Sequence, residues 1–281
     1  MTGPALLVSY FAGLTAVFGL LIGSFLNVVV YRVPAGLSVV RPRSACPNCG
    51  HEIRGRDNVP VLSWLVLRGR CRDCATPISA RYPAVELVTA VAFVIVLARF
   101  WPTTAAAGSD VPVTQQLLLL GTMLFVMAIS VALALIDLDT QRLPDAIVLP
   151  SYAVVIVCGA GMSLLGGDWG AFVRGLTGMA ALGIFYLVLA IAVPRGMGLG
   201  DVKLAGVLGF VLAYLGWGPL AVGAFGAFLL GGTFSIVLMV LRRVGRKSGI
   251  PFGPWMLAGA WCGIFFGDGV LRAYLSLIGL G

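Results

Sequence analysis

Long unbroken apolar runs recur along this chain, and most of them reach the roughly 20 residues that a helix needs to cross a bilayer core. Lipid offers no partner to a backbone N–H or C=O, so such runs must be helices or the strands of a closed barrel. The apolar residues are continuous rather than alternating, which selects helices. Eight spans are expected: Ala5–Val30, Pro83–Trp101, Val113–Ile136, Ala146–Leu165, Ala171–Val193, Val202–Trp217, Pro219–Leu241 and Pro251–Leu280. The sixth is short and reads as tilted, half-buried or partly re-entrant. The first lacks a charged leading region and a small-residue cleavage site before Tyr31, so it reads as a helix rather than a signal peptide. Composition agrees: 59% of residues are hydrophobic and 11% charged, against about 45–50% and 25% in soluble domains. The expected fold is an all-α polytopic membrane protein of about eight transmembrane helices, with one small polar insert.

Lys and Arg concentrate in loops on the cytoplasmic side of a membrane. With the N-terminus outside, that side holds the cations of the segment 32–81, Arg142, Arg195, Lys203, Arg242, Arg243, Arg246 and Lys247. Only Arg99, Arg174 and Arg272 of the 19 cations then fall on the other face. The net charge of +8 is therefore mainly a topology signal. It also favours anionic lipid headgroups, and no nucleic-acid motif competes for it.

The polar insert, residues 32–81, carries "CPNCGHE" and "CRDC". Cys46, Cys49, Cys71 and Cys74 form two C-x2-C pairs separated by 21 residues. Each C-x2-C turn aims two thiolates at one ion, and two such turns build a tetrahedral zinc site. The separation slightly exceeds the usual window of about 15–20 residues, which a longer loop accommodates at small entropic cost. Two disulfides are the alternative, but they require an oxidising compartment, and the charge distribution places the insert in the cytoplasm. Four cysteines close the coordination shell, so the expected zinc is structural rather than catalytic. His51 reads as a bystander to that set. Cys158 and Cys262 lie in separate apolar runs and read as packing residues.

Charges at or within spans are expensive, so each is a functional hypothesis. Asp137, Asp139 and Asp145 cluster in "IDLDTQRLPD" at the end of the third run. Asp201 stands in "GMGLGDVKL" before the sixth. Two complete crossings separate the two segments, so both return to the same membrane face and a carboxylate pair is possible. Two carboxylates in contact do not readily both ionise. One can then activate water while the other protonates a leaving amine, which is peptide hydrolysis without a metal or a covalent nucleophile. Gly198 and Gly200 let the backbone turn and a peptide approach beside Asp201, and Pro144 permits a helix start while interrupting the preceding one. The plain alternative is that these acids solvate helix ends and offset Arg142 or Lys203.

Five motifs in order resemble the bacterial type IV prepilin peptidases, GxGD-type aspartic peptidases of the inner membrane. They are "GSFLNVVVYRVP" at 23–34, the paired C-x2-C insert, "RYPAVELVTA" at 81–90, "IDLDTQRLPD" at 136–145 and "GMGLGDVKL" at 196–204. The resemblance implies a catalytic pair at Asp137, seven residues before Pro144, and at Asp201. It gives no such role to Asp139 or Asp145. It further implies substrates that are prepilins or pseudopilins, cut on the cytoplasmic side between a short basic leader and an apolar helix. S-adenosylmethionine-dependent N-methylation of the new N-terminus then follows. On the same basis residues 1–101, including the insert 32–81, are a methyltransferase-like region, and residues 113–280 are the peptidase domain.

No Rossmann-like GxGxxG turn is present to hold the methyl donor. Glu86, near the inner end of the second span, either handles the new N-terminal ammonium or pairs with Arg81. Asn27 is expected to bond across helices, and "GAFGAFLLGG" at 223–232 reads as close helix packing. Against an enzyme stands a noncatalytic assembly or cation-transport protein using the same aspartates, but the middles of the spans hold few polar groups along which a cation would pass. A zinc peptidase is a poorer alternative still, because there is no HExxH and only one histidine.

Overall fold

The computed structural model describes residues 3–102, 111–193, 197–241 and 251–279. Among these, every long element is an α-helix, and extended pairing is confined to two isolated antiparallel bridges, Ala45 with Glu52 and Arg70 with Pro77. The helices are α1 (Gly3–Arg32), a short α2 (Leu62–Val66) inside the insert, α3 (Arg81–Arg99), α4 (Val113–Thr140), α5 (Asp145–Gly166), α6 (Trp169–Ala192), α7 (Leu199–Leu215), α8 (Trp217–Val240) and α9 (Gly253–Leu277). Six of them, α1, α3, α4, α5, α6 and α8, are long and apolar enough to cross a membrane. The expected sixth and eighth spans are the helices α7, of 17 residues, and α9, of 25. Neither is among those six. Arg195, Arg242, Arg243, Arg246 and Lys247, on which part of the orientation argument rests, lie outside the described residues, as do Gly196 and Leu280.

The chain divides into two compact units. One comprises Met1–Trp101 with Met123–Ala132, the other Pro102–Thr122 with Leu133–Gly281. In the first, α1 and α3 touch backbone to backbone. Gly19 and Gly23 stand one turn apart on α1. A Cβ on Gly19 would lie 2.6 Å from the Ala90 Cα, and one on Gly23 would lie 2.7 Å from the Glu86 Cα. Helices in lipid associate through van der Waals packing and interhelical hydrogen bonds, and small residues let their backbones approach. Asn27 bonds across the same pair, donating from Nδ2 to the Tyr82 carbonyl at 3.2 Å.

The second unit is built around α7. Every residue from Leu204 to Ala213 is buried, consistent with a helix that is apolar all round. The sequence reading of this segment as half-buried or re-entrant thus resolves into a short helix enclosed by its neighbours. Glycines on both sides make this possible: a Cβ on Gly178 of α6 would lie 2.5 Å from the Gly209 carbonyl oxygen. The far end of α7 is capped by Arg174 of α6, which donates to the Ala213 carbonyl at 2.6 Å and to the Tyr214 carbonyl at 2.9 Å. That contact gives a structural reason for a cation on the face opposite to most others, since terminal carbonyls otherwise lack partners. The 223–232 stretch packs closely as expected, with Gly226 against Gly259 of α9.

Gly178→Ala should therefore push α6 away from α7. Thermal unfolding of the purified chain in detergent should show a loss of about 1–3 kcal/mol, the usual cost of overpacking. Gly13→Ala, which meets nothing within 4 Å, should show no such loss.

Candidate active site and candidate metal centre

Both expected catalytic aspartates belong to the unit built around α7, and both are buried, Asp137 at 4% and Asp201 at 9% exposure. Asp137 lies in the last turn of α4. That helix stops because Gln141 adopts a left-handed conformation (φ 53°) and returns its N–H to the Asp137 carbonyl at 2.8 Å. The Asp137 side chain is held through Oδ2, which accepts the Gly253 N–H at the start of α9 at 2.9 Å. Asp201 is the third residue of α7. Its Oδ2 accepts the N–H of Gly198, the residue before the helix, at 3.0 Å, and a carboxylate at a helix start also meets the positive end of the macrodipole.

The Leu143 side chain lies between the two segments. A Cβ on Gly200 would be 2.9 Å from the Leu143 Cβ, and one on Gly253 would be 3.4 Å from its Cδ2. The carboxylates are near enough for the charge of Asp137 to act on Asp201. Tyr186, 1% exposed, joins them from α6. It packs on Phe252 with ring centroids 6.2 Å apart, and it feels the charge of Asp201.

The remaining acids separate from this pair. Asp139 is exposed, because residues two apart on a helix do not share a face. Asp145 is exposed too and receives the Lys203 ammonium on both oxygens, at 2.7 and 2.8 Å. An exposed pair of this kind contributes at most about 1 kcal/mol, but with the Tyr152 hydroxyl donating to the Lys203 carbonyl at 2.6 Å it ties α5 to the start of α7. Pro144 stands as the residue before α5, the interruption expected of it. Gly253, Leu143 and Tyr186 were not singled out by the sequence. Only Gly253 left a signal there, as the glycine of "PFGP", where two prolines mark a helix start and the glycine leaves room for another group.

In the other unit the four cysteines converge. Their sulfurs all lie within 4.8 Å of one another, and Cys46 and Cys74 are 3.7 Å apart. None of the cysteines is disulfide-bonded, so the two-disulfide alternative does not hold. The knuckles are built alike. Cys46 donates its N–H to the His51 carbonyl and Cys71 to that of Thr76, while Gly50 and Ala75, both at positive φ, donate back to the carbonyls of Cys46 and Cys71. His51 thus takes part through its backbone and not as a ligand. Hydrogen bonds with Thr76 and Asn48 lower the Cys74 thiol to about 6. Cys49, despite a lowering bond from the His51 backbone, is pushed up to about 12 by burial and its neighbouring thiols. Four sulfurs so close can share one cation, which would draw off their protons, and this donor set fits a metal ion. Asp57 and Arg72 brace the insert at 2.6–3.0 Å, and the guanidinium holds that carboxyl below the usual range.

Glu86 is 8% exposed and accepts the Val61 N–H at 2.7 Å, which anchors the insert to α3. If the cysteines hold a metal, the purified chain should retain one divalent ion, measured by elemental mass spectrometry. Cys49→Ser with Cys74→Ser should abolish it, whereas His51→Ala should not.

Residues 17–100 match the bacterial peptidase A24 N-terminal domain, and residues 124–236 match the type IV leader peptidase family. No solved structure matches the chain. Among curated proteins, it is 38% identical to the prepilin leader peptidase/N-methyltransferase of Aeromonas hydrophila, over 95% of this chain and 94% of that one. It is 36% identical to the protein of that name from Pseudomonas putida, over 96% of both chains. It is 34% identical to the one from Pseudomonas aeruginosa PAO1, over 94% and 93%. This likeness runs through both units and both candidate sites, and the chain belongs to the type IV leader peptidase family.

Proposed function

We propose that this chain is a membrane aspartic endopeptidase that removes the basic leader from type IV prepilins or pseudopilins and then N-methylates the new amino terminus. Its near end-to-end similarity to prepilin leader peptidase/N-methyltransferases carries the reading. The burial of Asp137 and Asp201, near enough for one charge to act on the other, supports it chemically. A noncatalytic assembly or cation-transport role is not favoured, because those relatives are enzymes by name.

In this mechanism Asp137 and Asp201 share one proton. The unprotonated carboxyl takes a proton from water as the oxygen adds to the scissile carbonyl, and the protonated one donates to the departing amine as the C–N bond breaks. The Gly253 and Gly198 N–H groups hold one oxygen of each carboxyl, so the other oxygens need no reorganisation to face the peptide. The reading counts α7 and α9 as spans and takes the site to lie at the inner face of the bacterial cytoplasmic membrane, which the distribution of Arg and Lys supports. There the substrate's apolar helix stays among the spans while its leader meets the carboxylates.

Residues 113–280 form the peptidase part, and residues 1–101 the methyltransferase part. S-adenosylmethionine supplies a methyl group on a sulfonium. The described N-terminal residues contain no strand-to-helix glycine turn, so the donor is held by helices or the insert rather than by a Rossmann-type site. Glu86 binds or deprotonates the new amine. Zinc is the metal of Cys46, Cys49, Cys71 and Cys74. Ligands tetrahedrally placed about 2.3 Å from zinc stand about 3.8 Å apart, and the separation of Cys46 and Cys74 is 3.7 Å. Four sulfurs leave no position for water, so the ion is structural.

Mass spectrometry of a prepilin-like peptide incubated with the chain in lipid tests this directly. Asp137→Asn and Asp201→Asn should each abolish cleavage, while Asp139→Asn keeps it; cleavage by either of the first two would sink the dyad. In Gly253→Ala the new Cβ would stand 2.7 Å from the Asp137 Oδ2. The fold should survive that change, and cleavage should fall on the order of 10²-fold, as for a misplaced catalytic group. Glu86→Gln should cleave normally but leave the product unmethylated when S-adenosylmethionine is supplied.

A further inference from the structure

The short helix α2 is turned inside out by the standards of a soluble domain. Leu62, Leu65 and Val66, at i, i+3 and i+4 on one face, are 60%, 58% and 76% exposed. Its polar member is buried: Ser63 Oγ accepts the Val59 N–H at 2.9 Å and donates to the Arg56 carbonyl at 3.0 Å. Trp64 also faces inward and donates its indole N–H to the Ile78 carbonyl at 3.0 Å. This outward apolar face is not a frayed segment, since both its entry and its flank are fastened.

The entry fastening sets its position. Val61 donates its N–H to Glu86, which lies in the second turn of α3, a helix long and apolar enough to cross a membrane. Val61 itself is at φ 60° and ψ −49°, a conformation a β-branched residue adopts only where its surroundings impose it. Trp64 is bonded three residues before α3 begins. The helix is therefore fastened at the very start of α3, within two turns of it.

Charge selects the lipid. The insert's acids are each matched by an arginine: Glu52 by Arg43, Asp73 by Arg54 and Asp57 by Arg72. Arg68 and Arg70, which follow α2 directly, are exposed and stand outside those pairs. We propose that the Leu62, Leu65 and Val66 face of α2, with Arg68 and Arg70 beside it, lies in the bilayer interface and binds anionic phospholipid. A basic leader peptide fits the patch poorly, because its charge has the same sign. This docking is independent of the peptidase chemistry and fixes the metal-binding insert against the membrane surface.

The test uses the full chain with a photoreactive benzophenone amino acid in place of Leu65, reconstituted into vesicles of phosphatidylethanolamine and phosphatidylglycerol. After irradiation, intact-mass analysis should show lipid adducts at position 65. The same probe at Val91, exposed on α3, should also give adducts, and the probe at Glu52 should not. Arg68→Glu with Arg70→Glu should lower phosphatidylglycerol adducts by roughly 30-fold, from about 1 kcal/mol for each of the two basic residues near an anionic surface. Retention of the metal by that variant would show that the insert remains folded. Adducts at Val91 without adducts at position 65 would overturn the proposal, as would cross-linking from 65 to an added basic leader peptide in place of lipid.

Discussion

Enclosure of α7 is the constraint on which the unit carrying the carboxylates depends. A helix buried on every side has no solvent or lipid to absorb a poor fit, so its neighbours must meet it closely. Gly178 and Gly209 provide that closeness by removing the Cβ atoms that would hold two backbones apart. With α7 seated, the buried residue of its first turn is Asp201. The depth of the carboxylate is then a property of helix packing and not of a flexible loop. The same holds for Asp137, whose helix ends within a turn of it and whose side chain is tied to the start of α9.

An apolar body limits where charge can be placed, and this chain uses only a few solutions. Arg174 spends its guanidinium on the carbonyls at the end of α7. Asp168 caps the start of α6 by accepting the Ala171 N–H at 3.0 Å. Lys203 and Asp145 neutralise one another at the entrance to two helices. Each of these charges satisfies helix-end groups or another charge. Asp137 and Asp201 differ from them: both are buried, neither is matched with a cation in a described ion pair, and among the described residues each is held by one backbone N–H. A carboxyl pair arranged in this way is suited to moving a proton, whereas a salt-bridged carboxylate is not.

The insert follows a different logic, because a segment of its length has too little apolar interior to fold on hydrophobic burial alone. Its order comes from two matching cysteine knuckles, from arginine–carboxylate pairs and from the tie between Val61 and Glu86. A metal ion joining the knuckles would replace the missing core. The burial of Glu86 therefore bears on two things at once: it fastens the insert to α3, and it keeps a carboxyl within the part proposed for methyl transfer.

Apolar runs alone made the helical, membrane-spanning character legible, since lipid permits few alternatives. The cysteine spacing made the four-cysteine cluster legible for a similar reason: knuckle geometry is local. The motif order also singled out Asp137 and Asp201 as the candidate pair. The sequence could not tell Asp137 from Asp139 on chemistry, because both are aspartates at the same helix end, and only their orientation toward or away from α7 and α9 separates them. Nor could it show that Gly253, far along the chain, supplies the N–H that holds Asp137, or that the short apolar α2 faces outward. Local patterns are set by the chain's immediate neighbours and are written in order along it. Burial, partner and depth depend on which distant backbones come into contact, and only the tertiary structure decides that.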